Sequence, residues 1–109
     1  MNVADRADLD ASGRLAVEID GVAVGVFKTR HGVFAVEDAC PHGLGKLSSG
    51  RLSGREIECP LHNAAFDLAS GVCTFGGPWT LRRYAVATNS NGRLLLRPLS
   101  EEDESQRSV

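Results

Sequence analysis

Apolar residues alternate with polar or small ones along residues 15–36. Leu15, Val17 and Ile19 recur at every second position, and Val22, Val24 and Val26 repeat the spacing. A period of two places each set on one face of a strand. Val33, Phe34, Ala35 and Val36 form a third short apolar run. Asp20-Gly21 predicts a two-residue hairpin turn between the first two strands, and His31-Gly32 is predicted to close a second hairpin. His31 is therefore read as a turn residue.

The rest of the chain keeps this character. Residues 55–58 and 65–68 read as short strands, with Ser70-Gly71 as the next turn. Residues 47–52 are turn-like, because Ser48-Ser49-Gly50 and Ser53-Gly54 break any regular pattern. Gly76-Gly77-Pro78 predicts an irregular loop. Residues 81–88 and 93–96 read as a last pair of strands joined at Asn91-Gly92. Short strands, frequent turns and no helical period predict an all-β chain, an antiparallel β-sandwich or barrel. Residues 100–109 are polar and acid-rich, and a frayed tail is expected there. Its Glu101, Glu102, Asp103 and Glu104 can steer a basic partner, although a solvated tail is the plainer reading.

Composition narrows the function classes. A chain of 109 residues suffices for one domain with a modest core. A formal net charge of -2 gives no basic signature for nucleic acid. The opening residues 1–10 lack the positive and apolar regions of a signal peptide, and no apolar run is long enough to span a membrane. The expectation is a soluble, cytoplasmic protein. Three cysteines in such a chain point to ligation rather than to a disulfide framework.

The candidate chemistry lies in two short stretches, Cys40-Pro41-His42 and Cys59-Pro60-Leu61-His62. Each offers one thiolate and one imidazole, and sixteen residues, 43–58, separate them. Pro41 and Pro60 fix φ directly after each cysteine, and Gly43 and Gly45 permit tight turns. Two Cys and two His form a candidate metal site. Zinc accepts such a set, but zinc fingers usually pair Cys with Cys and His with His. A mixed pair in each half suits an object with two unlike metal ions, each loop giving its Cys to one and its His to the other.

With Pro60, Phe66, Asp67 and Gly71 in addition, the Cys-x-His and Cys-x-x-His pair resembles the signature of Rieske-type ferredoxins over roughly residues 15–98. The resemblance implies one [2Fe-2S] cluster held by Cys40, His42, Cys59 and His62, with the two Cys on one iron and the two His on the other. It implies a single Rieske domain over residues 1–109, with a larger β-base and an inserted cluster-binding subdomain at about residues 39–80. It also implies solvent-facing imidazole edges on His42 and His62, through which an electron can pass, with Cys40 and Cys59 deeper. Four protein ligands and bridging sulfides leave no open coordination position, so no bond chemistry is expected at the cluster and the chain is read as an electron carrier rather than an enzyme.

Departures from the pattern choose the branch. In the cytochrome-complex branch, extra cysteines in the two loops form a disulfide; those places fall here on Gly45 and Leu61. A Ser and a Tyr hydroxyl reach sulfur in that branch; their places fall on Ala64 and Phe66, which cannot donate. Losing both predicts a potential near the low end of the Rieske range, about -150 mV. The chain is thus similar to ferredoxins of bacterial aromatic-ring dioxygenase systems. These relay an electron from an NAD(P)H-dependent flavin reductase to a terminal Rieske oxygenase. Two alternatives stand beside this reading: the Rieske-like small subunit of a larger reductase such as assimilatory nitrite reductase, and a structural zinc module. Three further residues carry milder expectations. Cys73 is read as a small buried apolar residue. Trp79 is read as core packing or a partner contact near the cluster, and Arg82 and Arg83 as strand-surface charges.

Overall fold

The computed structural model describes residues 2–39, 46–60, 64–77 and 79–99. Among the described residues, ten strands form two antiparallel sheets. The larger has the order β1-β10-β9-β4-β3-β2. It comprises β1 (Asn2–Asp5), β2 (Arg14–Ile19), β3 (Val22–Thr29), β4 (Gly32–Glu37), β9 (Arg83–Thr88) and β10 (Arg93–Pro98). This sheet curls into a nearly closed, barrel-like wall. The smaller sheet runs β5-β6-β7-β8. Its strands are β5 (Arg51–Ser53), β6 (Glu56–Glu58), β7 (Ala65–Asp67) and β8 (Cys73–Phe75), all within the predicted 39–80 segment.

The first hairpin follows the sequence closely. Ile19 pairs with Val22, and Asp20 and Gly21 between them have φ of 50° and 83°. Two positive φ values make the turn whose twist matches the flanking strands, and Asp-Gly is a pair that tolerates them. In the second hairpin Thr29 pairs with Gly32. The two loop residues are therefore Arg30 and His31, and Gly32 opens β4. His31 is exposed in that turn.

Strands β3 and β4 are covered on both sides. Val24, Val26 and Ala35 face the barrel interior with Leu9, Ile19, Tyr84, Leu94 and Leu96. Phe27 and Val36 face outward and pack with Ile57, Cys59, Ala64, Phe66, Leu68 and Leu81 under the small sheet. Double coverage explains why residues 24–27 are buried without a break. Gly25 fits among them because a Cβ there would press on the Phe27 ring at 2.9 Å.

Three features depart from the sequence expectations. The polar N-terminus forms β1 and a short helix, α1 (Arg6–Ser12). Only Leu9 of α1 is buried, so seven residues leave no 3.6-residue period to read. Strands β5 and β8 hold three residues each, too few to show a period of two, although each pairs with its neighbour in the chain, β6 and β7. Arg83, expected at the surface, is 8% exposed. Its Nη1 donates to the Ala69 carbonyl at 2.8 Å, tying β9 to the turn after β7. A buried guanidinium is tolerated when it is hydrogen-bonded. Arg82 is exposed as expected. Among the described residues no helix is long and apolar enough to cross a membrane.

Candidate metal centre

Of the four predicted ligands, the structure describes Cys59. Cys40, His42 and His62 lie outside the described residues, as do Pro78 and the acidic residues 101–104. What the structure describes is the framework from which the two ligand loops spring.

Cys59 follows β6 directly and is 0% exposed. The apolar side chain of Ile57 anchors β6 in the core, while Glu56 and Glu58 point away from it. Backbone pairing carries the chain from there into the loop. The Cys59 N–H donates to the Ala64 carbonyl at 2.7 Å, joining the two ends of the segment that carries His62 in the sequence. Cys59 shares a dry cluster with Leu47, Ala64, Phe66 and Leu81.

The first loop, residues 40–45, is closed in a different way. Asp38 lies just after β4 and is 2% exposed. Its carboxylate accepts the Ser48 N–H at 2.7 Å and the Ser48 hydroxyl at 2.6 Å. Ser48 sits in a 3-10 turn, Leu47–Ser49. Arg14, from β2, donates to the carbonyls of Ser48 at 3.1 Å and Gly50 at 2.6 Å. Sequence reading missed Asp38 and Arg14. The one available signal was a carboxylate standing between an apolar strand and a Cys-x-His motif.

The two loop bases meet. Leu47 and Cys59 belong to one cluster, and Gly50 passes so close to β6 that a Cβ there would collide with the Glu58 carbonyl oxygen. Trp79 lies half-buried against the same cluster, and its ring covers Gly77. Core packing is therefore its role in the fold. Cys73 pairs with Phe66 on the inward face of the small sheet. It is half-buried rather than buried, and its Sγ lies 3.2 Å from the Phe75 carbonyl oxygen. Val72 and Phe75 are exposed by 49% and 68%. Phe75 pairs with Ala65, and Ala65 with Glu58, so this outward row ends one residue before Cys59.

This framework fits an iron–sulfur cluster. A cysteine at a loop base, walled by Phe66, Leu47 and Leu81, offers a soft sulfur donor with water excluded, as such clusters use. The described bases of the two ligand segments, Asp38 with Ser48 and Cys59 with Ala64, adjoin through Leu47 and Gly50. A separate cleft of about 460 Å3, lined by Phe34, Leu68, Arg83, Tyr84, Arg97 and Leu99, is not lined by Cys59.

Comparison with known proteins follows the same line. The profile of the family described as Rieske [2Fe-2S] domain matches residues 1–84. A curated relative from Ralstonia sp., the ferredoxin component of naphthalene 1,2-dioxygenase/salicylate 5-hydroxylase systems, is 35% identical over 69 residues. That alignment covers 62% of this chain and 66% of the relative, just under two thirds of its length. Among solved structures, the ferredoxin of carbazole 1,9a-dioxygenase from Nocardioides aromaticivorans IC177 superposes with a TM-score of 0.80 at 29% identity. The match covers 91% of this chain and 97% of that one. A putative NADPH nitrite reductase small subunit superposes with a TM-score of 0.71 at 26% identity, covering 92% and 97%.

Proposed function

The chain belongs to the Rieske [2Fe-2S] domain family, and from that premise we propose that it is the ferredoxin of an aromatic-ring-hydroxylating dioxygenase system. It accepts one electron from an NAD(P)H-dependent flavin reductase and passes it to a terminal oxygenase. The observation that carries this reading is the likeness to a dioxygenase ferredoxin over nearly the whole of both chains. The family's cofactor is a [2Fe-2S] cluster, which supplies reversible one-electron chemistry when bound.

Cys40, His42, Cys59 and His62 are the residues that would hold the cluster. This chain's own contribution is positional. The Cys59–Ala64 backbone bond closes one ligand loop, and the apolar cluster around Cys59 keeps water from its sulfur side. Phe75, whose row ends next to Cys59, offers an apolar contact to a protein partner at that end of the small sheet.

The test is reconstitution. Purified red-brown protein is mixed anaerobically with NADH and a dioxygenase flavin reductase, and its visible spectrum is followed. Bleaching, then recovery when oxygenase, aromatic substrate and oxygen are added, is the expected result. Protein that carries iron but is neither reduced by the reductase nor reoxidised by the oxygenase would overturn this function. A second reading, small subunit of a larger reductase, is favoured by the nitrite reductase likeness. Co-elution with a large reductase subunit from a native lysate supports that alternative, and a lone ferredoxin-sized species counts against it.

A further inference from the structure

The Asp38 carboxylate is nearly inaccessible to water at 2% exposure. Burying a carboxylate is costly unless hydrogen bonds replace its hydration. Here both oxygens are used, and both by one residue: Oδ1 accepts the Ser48 N–H and Oδ2 accepts the Ser48 Oγ–H. Short bonds to an ionised acceptor are about twice as strong as neutral ones. The Asp38 N–H donates to the Ala23 carbonyl at 2.9 Å, fixing its backbone to β3. On the far side of the 3-10 turn, the Arg14 guanidinium holds the carbonyls of Ser48 and Gly50. The Arg14 guanidinium carbon itself lies 6.0 Å from the centre of the Phe27 ring. Leu47, fully buried, fastens the turn from below. The exit of the first loop is thereby fixed on its amide side, its carbonyl side and its apolar side.

We propose that Asp38 is a positioning residue for the cluster site, with Ser48 and Arg14 as its partners. Asp38 stands two residues before Cys40, and the turn it grips follows the loop that carries Cys40 and His42. Gripping Ser48 from Asp38 joins the loop's entry to its exit, next to the base of the Cys59 loop. Its fixed negative charge also opposes addition of an electron nearby, and so holds the potential down. The inference rests on the cluster reading above.

The test uses the full chain and four readouts: iron per chain, visible and paramagnetic resonance spectra, thermal unfolding and reduction potential. Asp38→Ala removes both acceptors, and iron occupancy is expected to fall about tenfold, as for loss of an outer-shell partner. Asp38→Asn can keep the grip: its Oδ1 accepts the Ser48 N–H and its Nδ2–H donates to the Ser48 hydroxyl oxygen. It is expected to retain iron and to move the potential in the positive direction. A merely structural role would not produce that shift. Wild-type occupancy and spectra in Asp38→Ala, or an unmoved potential in Asp38→Asn, overturns the inference. If Asp38→Ala does not fold, the potential of Asp38→Asn decides alone. Wild-type protein that binds no iron would instead overturn the cluster reading itself, so the two failures are distinguishable.

Discussion

The amide of Cys59 donates to the carbonyl oxygen of Ala64 across a 2.7 Å hydrogen bond that joins the two ends of the segment 60–63. This bond belongs to the backbone and is independent of the sulfur. Cys59→Ala therefore separates ligation from folding. The substitution removes a buried sulfur from a packed cluster, which costs about 1 kcal/mol, comparable to the smallest core truncations. The melting transition should shift by a few degrees and remain cooperative, while visible absorption and bound iron fall to background. Retained iron in Cys59→Ala would remove Cys59 from the ligand set.

Gly50 tests whether the two ligand loops depend on their close approach. A Cβ there would overlap the Glu58 carbonyl oxygen and touch the Leu47 oxygen at 3.1 Å. Both obstacles are backbone atoms, which cannot swing aside as a side chain tip can. Gly50→Ala should destabilise the fold by about 1–3 kcal/mol, the usual cost of overpacking. It should also lower iron occupancy, because the strain falls between the exit of one loop and the base of the other. Urea unfolding of the metal-free protein gives the first number, and iron analysis the second. Unchanged unfolding would show that the two segments separate without cost.

The hairpins β2-β3 and β3-β4 were legible because Asp20-Gly21 carries its own conformational preference and because Leu15, Val17 and Ile19 alternate in sequence as they do in space. The strand before Cys59 was legible because Ile57 stands between two glutamates. Arg83 was misread, since its burial depends on the Ala69 carbonyl, fourteen residues away in sequence. Asp38 and Ser48 are ten residues apart, and no local pattern pairs them. Helix α1 was missed because Leu9 is its one buried residue. Of the predicted ligands, Cys59 alone lies among the described residues, so the full constellation was legible as a motif and remains part of the proposal.

Asp10 predicts an acid-range effect remote from the site. Hydrogen bonds from Lys28 and then Arg6 hold its carboxyl below the ordinary 3.8, against a smaller desolvation effect that raises it. A depressed folded-state value means that the stabilisation is fully present above the unfolded value and is lost as the pH falls through the folded one. The Asp10 contribution should therefore disappear below about pH 3.8 and be constant above it. The three side chains are all well exposed, so the effect is small and screened by salt. Asp10→Asn should show a slightly lower urea midpoint than wild type at neutral pH, and the two should converge in strong acid. A difference that widens on acidification would reverse the assignment.

Ala64 and Phe66 predict the direction in which the potential can be tuned. Both are fully buried, and both share the cluster that contains Cys59. Neither side chain has a donor, so neither can neutralise charge on sulfur. A hydroxyl donor aimed at a cluster or ligand sulfur favours the more negative, reduced state and raises the potential. Ala64→Ser adds one oxygen beside a packed wall, and Phe66→Tyr adds one at the ring's far end. A buried hydroxyl without a partner is itself destabilising by about 1–3 kcal/mol. Each variant thus has two distinct outcomes. A hydroxyl that finds sulfur should raise the potential with little loss of stability, whereas one that finds no partner should lower the melting point and leave the potential where it was. Voltammetry and thermal unfolding on the same samples separate these outcomes. A raised potential in either variant, with iron retained, would tie the low potential expected for this chain to the missing donors at these two positions.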